Sequence, residues 1–277
     1  MSKLTHVSLF SGIGGIDLAA EWAGFETVLF VEKNEYCQRV LKKHWPGVPI
    51  IGDIRDVRKE NVAYATSGKP WQQEGRDRGK GTSRRSEEIT LITGGFPCQP
   101  FSVAGKRRGE DDDRFLWPEM LRVIKEFKPS WVVGENVAGI INMALDDVCS
   151  DLEAEGYEVQ PIVLPACGVN APHRRYRVFI VGYSDKGWQG QPQSGINGHS
   201  KDVADATGRR LQQCESKREE KGYISEEGGN WATEPDVGRV AHGIPNRVDR
   251  LRALGNAVVP QQIFPILKTI AVMELKC

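Results

Sequence analysis

His6-Val7-Ser8-Leu9-Phe10, then Ser11-Gly12-Ile13-Gly14-Gly15, then Ile16-Asp17-Leu18-Ala19-Ala20-Glu21-Trp22-Ala23-Gly24 run through three residue regimes in succession. The first is apolar and β-rich and reads as a strand. The second is small and glycine-rich and reads as a turn. The third carries Ile16, Leu18, Ala19, Ala20 and Trp22 on a helix that Gly24 stops. Outward from this unit the rhythm repeats. Thr27–Val31 reads as a second strand and Glu35–His44 as a second helix, ended by Trp45-Pro46-Gly47. Pro49–Ile51, Thr90–Ile92 and Trp131–Val133 follow as strands, with the helical stretch Trp117–Phe127 between the last two. Val159–Leu164 and Arg177–Val181 look like a strand pair. Alternating strands and helices predict an α/β fold, a doubly wound and mostly parallel sheet covered on both faces.

The 277 residues hold 37 Lys+Arg against 37 Asp+Glu, a net charge of zero that excludes a polybasic protein coating nucleic acid by bulk charge. A local basic groove is still compatible with that balance. Cysteines 37, 98, 149, 167, 214 and 277 form no CxxC pair, so neither a disulfide framework nor a zinc site is expected, and no metal is called. The first residues lack a signal-peptide pattern, and no apolar run approaches the roughly 20 residues of a membrane span. A cytoplasmic setting is expected, with no membrane partner. Ala65–Glu88 and Tyr183–Gly238 break the rhythm, being polar, glycine-rich and without apolar periodicity. Ala65–Glu88 is also rich in Lys/Arg, either as a solvated loop or as an arm that contacts phosphates.

The glycine turn lies where an open α/β sheet binds ligands, outside the carboxyl ends of its strands. Glu32 ends the second strand, 20 residues after Gly12, where an acid can accept from ribose hydroxyls. Asp53 follows the third strand and could meet an adenine amino group. Together these residues favour a nucleoside-containing cofactor, although the spacing does not separate NAD from S-adenosylmethionine. After the fourth strand comes Gly94-Gly95-Phe96-Pro97-Cys98-Gln99-Pro100-Phe101-Ser102. Structural cysteines sit within apolar periodic runs, whereas Cys98 sits on a stiff, proline-flanked loop at the ligand edge. It is the candidate nucleophile.

FSGIGG, GGFPCQPFS, GENV at Gly134–Val137, HRRYRVFIVG at His173–Gly182 and GNAVVP at Gly255–Pro260 occur in that order. In this order they resemble the DNA (cytosine-5)-methyltransferase family across most of the chain outside the two polar stretches. The resemblance implies a Rossmann-like methyltransferase fold with a small irregular target-recognition part, S-adenosylmethionine as cofactor and double-stranded DNA as partner, the chain acting as a monomer. It implies that Cys98 adds to C6 of a flipped cytosine so that C5 can attack a methyl sulfonium. It gives Glu135 contacts to N3 and the amino group of the base; if protonated, which requires a raised pKa, this carboxyl would offset negative charge developing on the ring. Arg175 and Arg177 match the family's two alternate arginines, which hold the base carbonyl and a flanking phosphate; His173 stands where glutamine is usual. Cofactor contacts are implied for Phe10, Gly12, Ile13, Glu32, Asp53, Ile54, Pro97 and Leu116, and for Asn256, Ala257 and Val258 in a segment that returns to close the pocket.

The resemblance also divides the chain. Residues 1–182 would form the catalytic and cofactor-binding domain, 183–247 a small target-recognition region, and 248–277 a segment returning to the catalytic part. Val103–Arg114, with Lys106, Arg107 and Arg108, would be a lid over the flipped base. Trp188, Arg209, Arg210 and Trp231 are candidates for reading sequence, and Ala241–Arg247 stands in for a ninth family motif with no clear counterpart. Taken without the resemblance, Gly255-Asn256 reads as a helix-stopping turn. Three other functions bear comparison. A tRNA cytosine methyltransferase would carry a Cys-Phe-Thr segment that is absent here. A catalytically silent DNA-binding relative has no need of Cys98, Glu135 and Arg177. A nicotinamide oxidoreductase leaves the Pro-Cys-Gln loop unexplained.

Overall fold

The structure, a computed structural model, describes residues 4–60, 89–98, 115–184 and 246–275. Seven strands of these residues form one sheet: β1 (Thr5–Leu9), β2 (Glu26–Val31), β3 (Ile50–Ile51), β4 (Leu91–Gly94), β5 (Trp131–Val137), β6 (Glu158–Leu164) and β7 (Arg177–Tyr183). Their order is β3-β2-β1-β4-β5-β7-β6. β1 to β5 run parallel, while β7 lies antiparallel to both β5 and β6. The expected α/β, doubly wound and mostly parallel architecture is the one observed. From β1 the chain moves outward to β2 and β3, then returns to β4 on the other side. That reversal opens a crevice beyond the carboxyl ends of β1 and β4, the general place for a ligand in such sheets.

The helices are α1 (Gly15–Ala23), α2 (Glu35–His44), α3 (Trp117–Phe127), α4 (Leu145–Ala154), α5 (Arg247–Asn256) and α6 (Pro260–Glu274). Their ends follow local chemistry. Gly24 stops α1 as expected, and it does so at φ 98°, a left-handed conformation that glycine adopts without strain. The side chain of Asn34 accepts from the Cys37 amide at 3.1 Å to start α2, whose last turn carries Lys42, Lys43 and His44 against the helix dipole. Pro118 begins α3, where a missing N–H costs nothing. No helix among the described residues is long and apolar enough to cross a membrane.

Alternation along the strands feeds two cores. Ile92, Val132, Val178 and Ile180 face α3 and α4, meeting Trp117, Met120, Val123, Ile124, Val148 and Leu152. Leu91, Val133 and Phe179 face the other way, toward Ile16, Ala19 and Ala20 of α1 and Ile263, Leu267 and Ile270 of α6. Each fully buried aliphatic side chain contributes roughly 1.5–3 kcal/mol by transfer from water, so the inner face of α6 fixes the C-terminal part on α1. Polar contacts cross the sheet at β1: buried His6 contacts Thr27 Oγ1 at 2.9 Å and Thr93 Oγ1 at 2.8 Å. Its lack of water drives its pKa down to about 3, so it stays neutral.

The structure departs from the sequence reading in three places. β5 continues through Gly134, Glu135 and Asn136 to Val137, because β7 supplies an antiparallel ladder that pairs Glu135 with Phe179. The polar half of this strand is thus buried with its apolar half. Helices α4, α5 and α6 were not anticipated. Gly255 and Asn256 do mark a helix stop, but as the last two helical residues of α5 rather than as a separate turn, followed by Ala257 with extended backbone. The proposed recognition region 183–247 lies, apart from its ends, outside the described residues. So do Ala65–Glu88, the lid stretch Val103–Arg114, and Trp188, Arg209, Arg210 and Trp231.

Candidate active site

The turn after β1 is stitched to the end of β2. The Ser11 amide donates to Val31 O at 3.1 Å, and the Gly12 amide donates to Glu32 Oε2 at 2.7 Å. Glu32 Oε1 accepts from the Asn34 amide at 2.7 Å, so both carboxylate oxygens already hold backbone amides. Each keeps a lone pair for a further donor. Phe10 adopts φ 54°, a left-handed conformation rare for an aromatic residue and frequent at binding sites. Asp53 accepts from the Arg55 amide at 3.0 Å, capping the short turn Ile54–Asp56, with Arg55 and Lys33 nitrogens at 3.7 and 3.9 Å from its other oxygen. Gly15 faces the far end of the chain. A Cβ there would lie 2.5 Å from the carbonyl oxygen of Val258, so the C-terminal segment touches the first turn only because residue 15 has no side chain.

The second half of the site hangs from β4 and β5. Phe96 is buried on Trp117 with ring centroids 5.1 Å apart, and its carbonyl accepts from Asn136 Nδ2 at 2.9 Å. Cys98 makes an isolated antiparallel bridge with Phe115, and the Leu116 amide donates to Pro97 O at 3.4 Å. The cysteine is therefore held from both sides, partly buried. Burial pushes its thiol above the ordinary range. Glu135 is 7% exposed and accepts from Arg177 Nε at 2.7 Å. Burial raises its carboxyl to about 7, outweighing the opposing pull of Arg177 and then Arg175. Gly95 leaves room for this pair, since a Cβ there would come within 2.9 Å of Glu135 Oε2.

These groups share one cleft of about 620 Å³, within the roughly 300–1,000 Å³ common for small-molecule sites. Phe10, Gly12, Ile13, Glu32, Asp53 and Ile54 line it at one end. Pro97, Cys98, Leu116, Glu135 and Arg177 line it at the other, and Asn256, Ala257 and Val258 complete a wall. Arg175 is the sequence candidate that does not line it. Its backbone sits at φ 29°, and its guanidinium donates instead to the carbonyls of Gly255, at 2.7 Å, and Ala257. Motif spacing treats Arg175 and Arg177 as equivalents, but the left-handed residue just before β7 turns the first of them away. The cleft also takes in Asn34, Cys37, Asn136, Asp249 and Arg252, none of which the sequence reading proposed. Asp249, Arg252, Ala253 and Asn256 stand at i, i+3, i+4 and i+7 on α5, a helical face that was readable in principle but is polar rather than apolar. Among the described residues, no group of three or more His, Cys, Asp or Glu could hold a metal.

The cleft combines features compatible with a nucleoside-containing ligand. Its glycine turn admits a ligand to the backbone, its two acids stand at successive strand ends, and its far wall brings a thiol and a protonatable carboxyl together. Comparison with known proteins identifies the family. The chain is 37% identical over 190 residues to the Type II methyltransferase M.AquIA of Picosynechococcus sp., covering 64% of this chain and 70% of that protein. It is 36% identical over 182 residues to the Type II methyltransferase M.PspPI of Psychrobacter sp., covering 64% of this chain and 38% of that protein. A variant of DNMT2 from Spodoptera frugiperda shares the fold, with a TM-score of 0.51 at 19% identity over 69% of this chain and 54% of that one. The chain thus spans well under two thirds of most of the relatives it matches. The C-5 cytosine-specific DNA methylase family model matches residues 4–227, and the chain belongs to that family.

Proposed function

We propose that this chain transfers a methyl group from S-adenosylmethionine to C5 of a cytosine flipped out of double-stranded DNA. The observation that carries this reading is the meeting of Cys98 with the buried Glu135–Arg177 pair in the cleft that Glu32 and Asp53 line. The bound cofactor supplies an electrophilic methyl on sulfur. Glu32 and Asp53 would hold its ribose and adenine, and residues 256–258 would close over it. At the other end, the Cys98 thiolate forms a bond to C6, while protonated Glu135 donates to N3 and stabilises the electron density passing onto the ring. Arg177 orients Glu135 and reaches for the base carbonyl. Once C5 is methylated, its proton would pass to solvent, the C5–H electron pair would restore the ring double bond, and the Cys98–C6 bond would break to return the thiolate to Cys98. A base within a duplex cannot reach such a cleft, which is why flipping is required. Residues 1–182 with 248–277 would perform the chemistry, and 183–247 would read the target.

Duplex DNA with 5-fluorocytosine at the target tests this directly. The fluorine cannot leave as a cation, so a covalent adduct at Cys98 is expected by mass spectrometry, and Cys98→Ala should form none. The target itself would come from bisulfite sequencing of DNA from cells expressing the chain. Methylation of unsubstituted DNA without trapping of the fluorinated duplex would rule out addition by the thiol. Cofactor binding with neither methylation nor trapping would instead indicate a catalytically silent relative.

A further inference from the structure

The arginine that turns away from the cleft is tied into the molecule at three points. Its guanidinium donates to the carbonyls of Gly255 and Ala257, the residues on either side of Asn256. Its own carbonyl accepts from Gln262 Nε2 at 3.0 Å. The same Gln262 nitrogen, fully buried in the first turn of α6, also donates to Leu164 O at the end of β6. The neighbouring Arg174 carbonyl accepts from the Ala166 amide at 2.6 Å. Two residues further on, Arg177 holds Glu135. The segment that walls the cofactor end is thus fastened to the strand end that carries the reacting groups.

We propose that Arg175 is a positioning residue which, with Gln262, latches segment 255–258 onto the start of β7. Cofactor affinity and the order of the Glu135–Arg177 pair would then be set together. Two features support a specified latch over an incidental contact. The left-handed φ of 29° is costly for a side chain with a Cβ and is held by the Gln262 bond to that residue's carbonyl. A charged donor on two main-chain carbonyls also makes a stronger contact than a neutral one. The role rests on reading the cleft as the S-adenosylmethionine site, and it differs from contact with the base or a DNA phosphate.

The test uses the full chain without DNA. S-adenosylmethionine is titrated into the parent, Arg175→Met, Arg175→Lys and Gln262→Leu by calorimetry, and hydrogen exchange of residues 253–258 is followed without ligand. Arg175→Met should weaken cofactor binding about tenfold or more and speed exchange in 253–258. Arg175→Lys should recover part of both effects. Gln262→Leu should behave like Arg175→Met, and the double variant should lose little more than the worse single, because both act through one network. In turnover, the cofactor KM should rise by a larger factor than kcat falls. Unchanged exchange and cofactor affinity in Arg175→Met, with DNA affinity and its salt dependence reduced, would overturn the latch in favour of a DNA contact. If the parent binds no cofactor, the functional reading fails while the exchange comparison still decides the latch. Should Arg175→Met melt below the assay temperature, Arg175→Lys and Gln262→Leu carry the same comparison.

Discussion

The pH dependence of catalysis tests the buried carboxyl and the thiol together. In the proposed mechanism the free enzyme is productive when Glu135 is protonated and Cys98 is ionised; burial favours the first state and opposes the second. Glu135 is pushed from 4.5 up to about 7, and burial holds the thiol above its ordinary value of 9.0. Below pH 7 the carboxyl is protonated and the thiolate fraction grows tenfold per pH unit, so kcat/KM should climb with unit slope. Between 7 and the thiol pKa, each gain in thiolate is cancelled by loss of the carboxyl proton, and the profile should be flat. On that plateau at most about 1% of the enzyme holds the productive pair of protonation states. With an unshifted carboxyl that fraction would be about 300-fold smaller, equivalent to about 3 kcal/mol. Under the proposed mechanism, burial of Glu135 would therefore enhance the rate despite its cost to the folded state. The assay is transfer of a labelled methyl at subsaturating DNA from pH 5.5 to 9.5, for the parent and Glu135→Gln. Glutamine cannot titrate, so the break near pH 7 should vanish and the climb continue to the thiol pKa, at a lower overall rate. A break near 7 that survives in Glu135→Gln would refute the assignment, as would a parent profile falling with unit slope directly above 7.

Other perturbations have equally specific outcomes. Gly15→Ala would place a Cβ 2.5 Å from Val258 O, and the backbone must withdraw by nearly an ångström. Thermal melting should show about 1–3 kcal/mol of destabilisation, and calorimetry a loss of cofactor affinity of about tenfold; parent-like values for both would contradict the close approach. Asn136→Ala removes the donor to Phe96 O and the acceptor of the Val137 amide. Urea unfolding should detect a loss of about 2–3 kcal/mol for these buried groups, and trapping by 5-fluorocytosine DNA should slow as the Cys98 loop loosens. Asn34→Ala deletes the cap of α2 and should cost about 1 kcal/mol in the same experiment. Retention of full stability would mean that water replaces the cap without penalty.

The parts of this molecule that were legible in the sequence are those governed by local chemistry. Helices α2 and α3 occupy the stretches expected of them, because Asn34, Pro118 and the residues that stop each helix act within one turn of its ends. The cleft was legible through its motifs, since strand ends in an open sheet converge whatever lies between them. The polar end of β5 was not, because Gly134-Glu135-Asn136 breaks the apolar pattern and is held extended by β7, a strand distant in sequence. The direction of Arg175 was hidden for a similar reason. It depends on one backbone dihedral and on two carbonyls from the C-terminal segment, and motif spacing encodes neither. Helix α4 did carry a readable signal in Leu145, Val148 and Leu152, all buried at i, i+3 and i+7.

The contact between Gly15 and Val258 has a consequence for biosynthesis. The first turn of the cofactor cleft, at Gly15, is synthesised well before the wall that closes over it, at Val258. Glu32 and Asp53 can be in place while the cleft is still open on that side. A chain lacking residues 255–258 should then hold the methyl donor poorly, and methylation competence would arrive with docking of that segment rather than with formation of the sheet. Loop closure over that separation adds only a slowly growing entropy cost. Cofactor binding, which favours the closed form by mass action, would help to draw the two ends together.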